Sequence, residues 1–185
     1  MFFEEINNTW TLFLDRDGVI NKRIIDGYVL NKDQFEFIEG VFEALVFLKP
    51  LFFKIIIVTN QQCIGKKLIN ERNLFEIHRY MCDEIEKMGG KIDNCYFAPE
   101  VKNVFPNTRK PNPDMAIQAK KDFPSIDFNK SIMIGDTDTD ILFGKKLGMK
   151  TVRILEIDPI GIEADLTVKN LIEFVNLWKK NQSYL

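Results

Sequence analysis

The sequence is poor in features that would place it in several large classes. Its three cysteines, Cys63, Cys82 and Cys95, are odd in number and spread along the chain. They offer neither a disulfide framework nor the paired spacing of a thiolate zinc site, and a reduced, cytoplasmic compartment is the simplest expectation. With 10 Gly and 7 Pro in 185 residues, collagen-like and disordered chains are excluded. No apolar run approaches the roughly 18 residues of a membrane span. The longest, Ile55–Val58, is separated by Lys54 from Phe52 and Phe53. The opening MFFEEINNTW has early acids and no basic stretch, so it is not expected to be a secretory signal. A charge excess is lacking too: 25 basic against 27 acidic residues leave a net of −2, which argues against a polyanion-binding surface.

Against these absences, 45% of the residues are apolar, enough for one sizeable core. The length predicts a single domain over 1–185. Strand and helix patterns alternate. Thr11–Leu14, Ile55–Val58, Ile92–Ala98, Ile132–Ile134, Thr151–Leu155 and Leu166–Val168 read as strands, several apolar throughout. Helical spacing runs over Val41–Leu48, Glu71–Met88, Asp114–Asp122, Asp138–Leu147 and Leu171–Lys180. The clearest stripe is Leu74, Ile77, His78, Met81, Ile85 and Met88, with Asn70 to cap its start and Gly89-Gly90 to end it. This alternation predicts an α/β fold: a doubly wound, Rossmann-like parallel sheet with helices on both faces. Val19–Phe37 breaks the pattern, mixing turn signals with short apolar pairs, and is expected to form a small hairpin-like flap.

In such sheets, ligands bind beyond the carboxyl ends of the strands. Four polar clusters fall there or at a helix start: Asp15-Arg16-Asp17-Gly18, Thr59-Asn60-Gln61-Gln62, Arg109-Lys110-Pro111, and Gly135 through Asp140. Any one of them reads equally well as a solvated turn. The four in this order do not.

Together LDRDGVIN, VTNQQ, RKP and IGDTDTD resemble the four motifs of the haloacid dehalogenase (HAD) superfamily of phosphohydrolases, over about the first 155 residues. DRDGVIN, DGYVLNKDQFEFIEGV, TNQQCIGK and RKPNPDM look most like the branch that contains histidinol phosphatases and heptose bisphosphate phosphatases. That likeness implies a HAD-like fold without a cap domain. The spacing agrees: 42 positions separate Asp17 from Thr59 and 51 separate Thr59 from Lys110, too few for an inserted domain.

The residue chemistry suits phosphate-monoester hydrolysis, which needs a nucleophile, a proton source and positive charge over the phosphoryl group. Asp15 is the candidate nucleophile, since a carboxylate needs no base to activate it. Two residues on, Asp17 is the candidate acid and base, its pKa expected to rise through crowding by other acids. Asp136 adds a third carboxylate, and oxygen-only ligands favour Mg²⁺. The resemblance implies that Asp15 and Asp136 hold the ion through carboxylates and Asp17 through its backbone carbonyl. Asp140 would stand behind them, on a metal-bound water or on Lys110. Thr59 is expected to bind a phosphoryl oxygen with its hydroxyl, helped by the N–H groups of Asn60 and Gln61. Lys110 would act as a point charge on nucleophile and phosphoryl group, and Arg109 would suit a second phosphate or a sugar hydroxyl. Arg16 is expected to point away from the acids in a structural role, and His78 to be a buried structural residue. Asp26-Gly27-Tyr28 is the part of the flap expected to meet the sugar.

Two departures from the branch matter. Zinc-carrying members place Cys-x-His after the strand and Cys-x-Cys before Arg-Lys-Pro. Here those stretches read Tyr96 through Glu100 and Pro106-Asn107-Thr108, with Cys95 the one thiol nearby. One ligand does not make a tetrahedral site, so no zinc is expected. Thr137 stands where the heptose pattern has lysine. The expected substrate is a small phosphorylated metabolite, first a heptose 1,7-bisphosphate and second histidinol phosphate. Neither nucleic acid nor membrane is an expected partner, and the expected state is monomer or weak dimer. A receiver-type signalling domain also phosphorylates an Asp beside acids, Thr and Lys, but it carries its phosphoacceptor after a later strand. A DNA 3′-phosphatase would need a basic stripe that the charge balance does not supply.

Overall fold

The computed structural model describes residues 2–155 and 159–182, so the ends of the expected 1–185 span and residues 156–158 lie outside it. Its elements run β1 (Thr11–Leu14), α1 (Val41–Leu48), β2 (Lys54–Asn60), α2 (Gln62–Gly65), α3 (Glu71–Lys87), β3 (Asn94–Ala98), α4 (Asp114–Asp122), β4 (Ser131–Gly135), α5 (Asp138–Lys146), β5 (Lys150–Ile154), β6 (Leu166–Val168) and α6 (Leu171–Gln182). The six strands form one sheet in the order β3-β2-β1-β4-β5-β6, and all five neighbouring pairs run parallel. The strand order reverses between β1 and β4, which is where doubly wound sheets bind ligands.

Period-2 alternation divides the apolar side chains between two layers. Leu12, Leu14, Ile55, Ile57, Ile132 and Ile134 pack on one face with α1, α3 and α6. Phe13, Ile56, Val58 and Met133 pack on the other with Met115, Ala116 and Ala119 of α4 and Phe143 of α5. Burial on both faces explains why β2 is β-branched over Ile55–Val58. The α3 stripe is buried as its spacing predicts, capped by Asn70. Met88 does not belong to it: the residue follows the last helical turn and is exposed.

Residues 19–37 form no strand of the sheet. Their base closes through an antiparallel bridge between Asn21 and Phe37 and by Lys22 N–H donating to the Glu36 carbonyl at 2.7 Å. Val29 and Phe35 are buried beneath the segment. Cys82 on α3 and Cys95 on β3, thirteen residues apart in sequence, bring their sulfurs to 3.9 Å as free thiols.

His78 is buried on α3, and its Nε2 lies 3.3 Å from Arg16 Nη1. A guanidinium only donates, so Nε2 accepts and the ring proton sits on Nδ1. Burial, then the Arg16 charge, push the His78 pKa down to about 3, with Asp17 opposing. Below about pH 6.5 an unfolded chain protonates this ring while the fold does not, so the contribution of His78 to stability falls as pH drops from 6.5 toward 3. At pH 5 the loss is about 2 kcal/mol. His78→Gln keeps an acceptor for Arg16 without titrating. On going from pH 7 to pH 5 this variant is expected to gain about 2 kcal/mol relative to the parent in urea titrations, and an unchanged difference between the two proteins would refute the assignment.

Candidate active site

Asp15 and Asp136 leave the sheet side by side because β1 and β4 are neighbours in parallel, with Leu14 paired to Ile134. Asp15 N–H donates to the Ile134 carbonyl at 2.9 Å and extends the ladder one residue beyond the strand. Two glycines permit the close approach of the loops. Gly18 has φ +88, and a Cβ there would lie 2.5 Å from Asp136 Oδ2. At Gly135 a Cβ would lie 2.2 Å from the Asp140 Cβ.

Lys110 enters between β3 and α4 and is buried. Asn60, the last residue of β2, fixes its backbone: Lys110 N–H donates to Asn60 Oδ1 at 2.9 Å, and Asn60 Nδ2 donates back to the Lys110 carbonyl at 3.3 Å. The ammonium reaches Asp15 Oδ1 and the Val58 carbonyl, both at 2.6 Å, and Asp140 Oδ1. Its three donors thus meet three oxygens. Asp140 divides its carboxylate, since Oδ2 accepts from Thr137 N–H and hydroxyl to cap α5 while Oδ1 faces Lys110. Thr137, the site of a departure from the heptose pattern, is therefore a helix cap here.

Carboxylate oxygens of Asp15, Asp136 and Asp140 lie within 4.8 Å of one another. Asp136 Oδ2 accepts from Arg23 Nη1 at 3.2 Å, but Oδ1 is buried without a hydrogen-bond partner among the described residues. Burial and the neighbouring acids push Asp15 up to about 6, with Lys110 opposing, and Asp136 up to about 8, with Arg23 and Lys110 opposing. Lys110 moves up because Asp140 and Asp15 outweigh its own burial. The cluster holds more negative charge than its cations offset, and its free donor is a hard oxygen. A small divalent cation such as Mg²⁺ fits both properties.

Asp17 departs from expectation. Arg16 is buried and points toward the acids, with Nη2 donating to both Asp17 oxygens at 2.9 Å. Asn21 Nδ2 donates to Oδ1 and Gln61 Nε2 to Oδ2, each at 2.9 Å. Burial alone raises the Asp17 pKa, but Arg16 and these hydrogen bonds outweigh it, and the net is below the ordinary value. Crowding by other acids does not dominate here because the Arg16 charge and the Asn21 and Gln61 amides stabilise the ionised carboxylate directly.

Thr59 is buried at the cavity wall, its Oγ1 accepting from Gln61 Nε2 at 2.9 Å, which leaves its own O–H for a ligand. The Gln61 N–H expected to assist it donates instead to the Ala98 carbonyl at 2.8 Å, continuing the β2–β3 ladder, and is not available to a phosphoryl oxygen. Arg109 is half-buried, with Nη1 on the Glu100 carbonyl at 3.0 Å. All of these side chains border one cavity of about 630 Å³, whose outer wall includes Arg23, Tyr28, Gln62, Lys102, Phe105 and Arg109.

Sequence reasoning missed two cations. Arg23 reaches Asp136 across 113 positions. Buried Arg153 donates from Nη1 to the Asp136 carbonyl at 2.9 Å and from Nη2 to the Ile162 carbonyl at 3.0 Å, with Asp138 beside it. Its signal was legible: an arginine inside an apolar strand requires fixed partners.

Comparison with known proteins gives a consistent result. A HAD-hydrolase-like family model matches residues 107–156. A D-glycero-alpha-D-manno-heptose-1,7-bisphosphate 7-phosphatase of Burkholderia mallei is 35% identical over 172 residues, covering 86% of this chain and 88% of that one. A D-glycero-beta-D-manno-heptose-1,7-bisphosphate 7-phosphatase of Helicobacter pylori is 34% identical over 177 residues, covering 95% and 99%. Among solved structures, D,D-heptose 1,7-bisphosphate phosphatase from B. bronchiseptica, complexed with magnesium and phosphate, superposes with a TM-score of 0.81 at 21% identity, covering 93% of this chain and 99% of that one.

Proposed function

Because the chain belongs to the D-glycero-D-manno-heptose 1,7-bisphosphate 7-phosphatases of the HAD-like hydrolases, we propose that it removes the 7-phosphate of such a sugar through a phosphorylated Asp15. It is a phosphoric monoester hydrolase on a doubly wound α/β sheet, and its family generally uses Mg²⁺. The observation that carries the reading is the buried pairing of Lys110 with Asp15 and Asp140 beside the unpartnered Asp136 Oδ1, at the point where the sheet order reverses.

Asp15 and Asp136 would hold the Mg²⁺ through carboxylates and Asp17 through its carbonyl, with Asp140 holding Lys110. When bound, the ion supplies positive charge that offsets the acids and the phosphoryl oxygens. An Asp15 oxygen attacks phosphorus, the bond to the sugar oxygen breaks, and that oxygen takes a proton from Asp17. Water then attacks the same phosphorus and gives a proton to the Asp17 carboxylate. The Asp15–phosphorus bond breaks, and inorganic phosphate leaves. Asp17 rests ionised, the form the second step needs. An entering phosphate dianion raises its pKa and favours the protonated form that the first step needs. Lys110 and the Thr59 hydroxyl bind the phosphoryl oxygens. Asn60 and Gln61 act by holding Lys110 and Asp17 respectively, and Arg109 meets the second phosphate.

The domain is a single capless unit roofed by residues 19–37 and 99–108, working as a monomer or weak dimer without zinc. No described helix is long and apolar enough to cross a membrane. Phosphate release with Mg²⁺ should be compared across both heptose 1,7-bisphosphate anomers, histidinol phosphate, nucleotides and a 3′-phosphorylated oligonucleotide. Many turnovers are expected, with the highest kcat/KM on a heptose bisphosphate. A higher value on histidinol phosphate would overturn the substrate, and phosphorylation that stops at one equivalent would overturn the enzyme.

A further inference from the structure

The loop over residues 99–108 contains no Cys or His and little buried apolar surface, with Val104 and Phe105 among its most exposed side chains. Its place over the cavity therefore depends on hydrogen bonds. Gly65 N–H of α2 donates to the Pro99 carbonyl at 2.9 Å, and a Cβ on Gly65 would lie 2.6 Å from that oxygen. At the other end, the Thr108 hydroxyl meets the Glu100 carboxylate at 3.0 Å. Between these anchors stands Gln62. Its Oε1 accepts from Lys102 N–H at 3.2 Å, and its Nε2 donates to the Tyr28 hydroxyl oxygen at 2.9 Å. The same Tyr28 oxygen accepts from Lys66 Nζ at 2.8 Å.

One amide thus joins the two segments bordering the outer cavity, residues 19–37 through Tyr28 and residues 99–108 through Lys102. Both segments are far from one another in sequence, and a short helix projecting from the tip of β2 brings Gln62 between them. No hydrogen bond of Gln62 reaches Asp15, Asp17 or Asp136 among the described contacts. We propose that Gln62 is a positioning residue: it sets the spacing of the two roof segments and so selects for a phosphorylated sugar that fills the outer cavity as well as the phosphoryl site. This rests on the phosphatase reading above. A substrate with a long polar body, such as a sugar bisphosphate, gains from a fixed roof. A small aryl phosphate occupies little beyond the phosphoryl site and gains less.

The test uses Gln62→Leu, Gln62→Glu and Tyr28→Phe in the full chain. Hydrogen exchange over residues 99–108 reports the strut without any substrate, and Gln62→Leu is expected to speed exchange at Lys102 about ten-fold. The ratio of kcat/KM for heptose 1,7-bisphosphate to that for p-nitrophenyl phosphate is expected to fall about ten-fold in Gln62→Leu, with the change in KM. Gln62→Glu keeps an acceptor for Lys102 N–H and offers another to the Tyr28 O–H, so it should restore most of the ratio. An amide that touched the anionic substrate directly would instead be worsened by glutamate, and that result overturns the proposal. Combining Gln62→Leu with Tyr28→Phe should cost less than the two separately, because both break the same link. Additive losses, unchanged exchange, or faster exchange with an unchanged ratio each refute it. If the parent protein releases no phosphate from either compound, the phosphatase reading fails, while exchange still decides whether the strut exists.

Discussion

Replacing Asp15 by asparagine is expected to abolish turnover and, in metal-free protein, to increase stability. The amide keeps the shape of the carboxylate and an oxygen for Lys110, but it cannot form the acyl-phosphate. Loss of a covalent nucleophile costs about 10⁵-fold or more in kcat. The stability gain follows from the pKa. Asp15 is pushed from 3.8 up to about 6 by burial first, with Asp140 and Asp17 adding to the rise against Lys110. An acid whose folded pKa is raised keeps its proton in the fold while the unfolded chain has lost it. Stability is therefore lost as pH climbs from about 4 to about 6, and the cost stays constant above that. At pH 7 this amounts to as much as about 3 kcal/mol that the asparagine variant does not bear. In EDTA the variant should melt higher than the parent at pH 7 and match it near pH 4. Residual turnover above a few per cent would place the nucleophile elsewhere. A variant that melted lower at pH 7 would mean that Asp15 stabilises the fold through Lys110 more than it strains it.

The architecture was legible because its strands are short, apolar and followed by turn residues. The bounds of β1, α1, α4 and β6 are those the pattern predicts. The helix α2 was not legible, since four residues beginning Gln62-Cys63 carry no periodicity, and the stretch reads only as a polar cluster after a strand. The site was readable to the extent that it depends on strand ends, which align Asp15, Thr59 and Asp136 along one edge. Orientation within that edge was not. Alternation along a strand predicts that Arg16 faces away from Asp15 and Asp17, but the chain has left β1 by Asp15 and turns at Gly18 with φ +88. The guanidinium therefore folds back onto Asp17. The Gln61 N–H was lost to the sheet for a related reason: pairing with β3 continues past the last apolar residue of β2. Arg23 and Arg153 illustrate a limit of spacing arguments, because each meets the β4–α5 turn from a separate part of the chain.

Mg²⁺ is expected to cancel the pH dependence of stability, and Asp136→Asn to remove that response. Burial, then the charges of Asp140 and Asp15, push the Asp136 pKa from 3.8 up to about 8, with Arg23 and Lys110 opposing. Between pH 6.5 and 8, Asp17 is ionised in both folded and unfolded states, and the half-protonated His78 of the unfolded chain loses its proton for only about 0.4 kcal/mol, so neither contributes a large slope. Asp136 does contribute one. The fold still binds a proton that the unfolded chain has released, and stability falls by about 1.4 kcal/mol per pH unit, or about 2 kcal/mol over the interval. A bound cation favours the ionised carboxylates, so protons compete with it and its affinity rises with pH. The rise in melting temperature on adding Mg²⁺ to EDTA-treated protein should accordingly be larger at pH 8 than at pH 6.5. Saturation at about 100 times Kd would supply about 2.7 kcal/mol, enough to cancel the metal-free decline. Asp136→Asn lacks both the titrating group and a buried carboxylate oxygen without a hydrogen-bond partner among the described residues, so its melting temperature in EDTA should vary little over this range. Its Mg²⁺-induced shift should shrink to a small fraction of the parent's, and its turnover should fall about 10³-fold. Thermal denaturation of both proteins at several pH values, with EDTA and with Mg²⁺, makes the comparison. An undiminished Mg²⁺ shift in Asp136→Asn would move the cation off this cluster, and a metal-free parent whose stability rises from pH 6.5 to 8 would show that Arg23 and Lys110 already offset the charge.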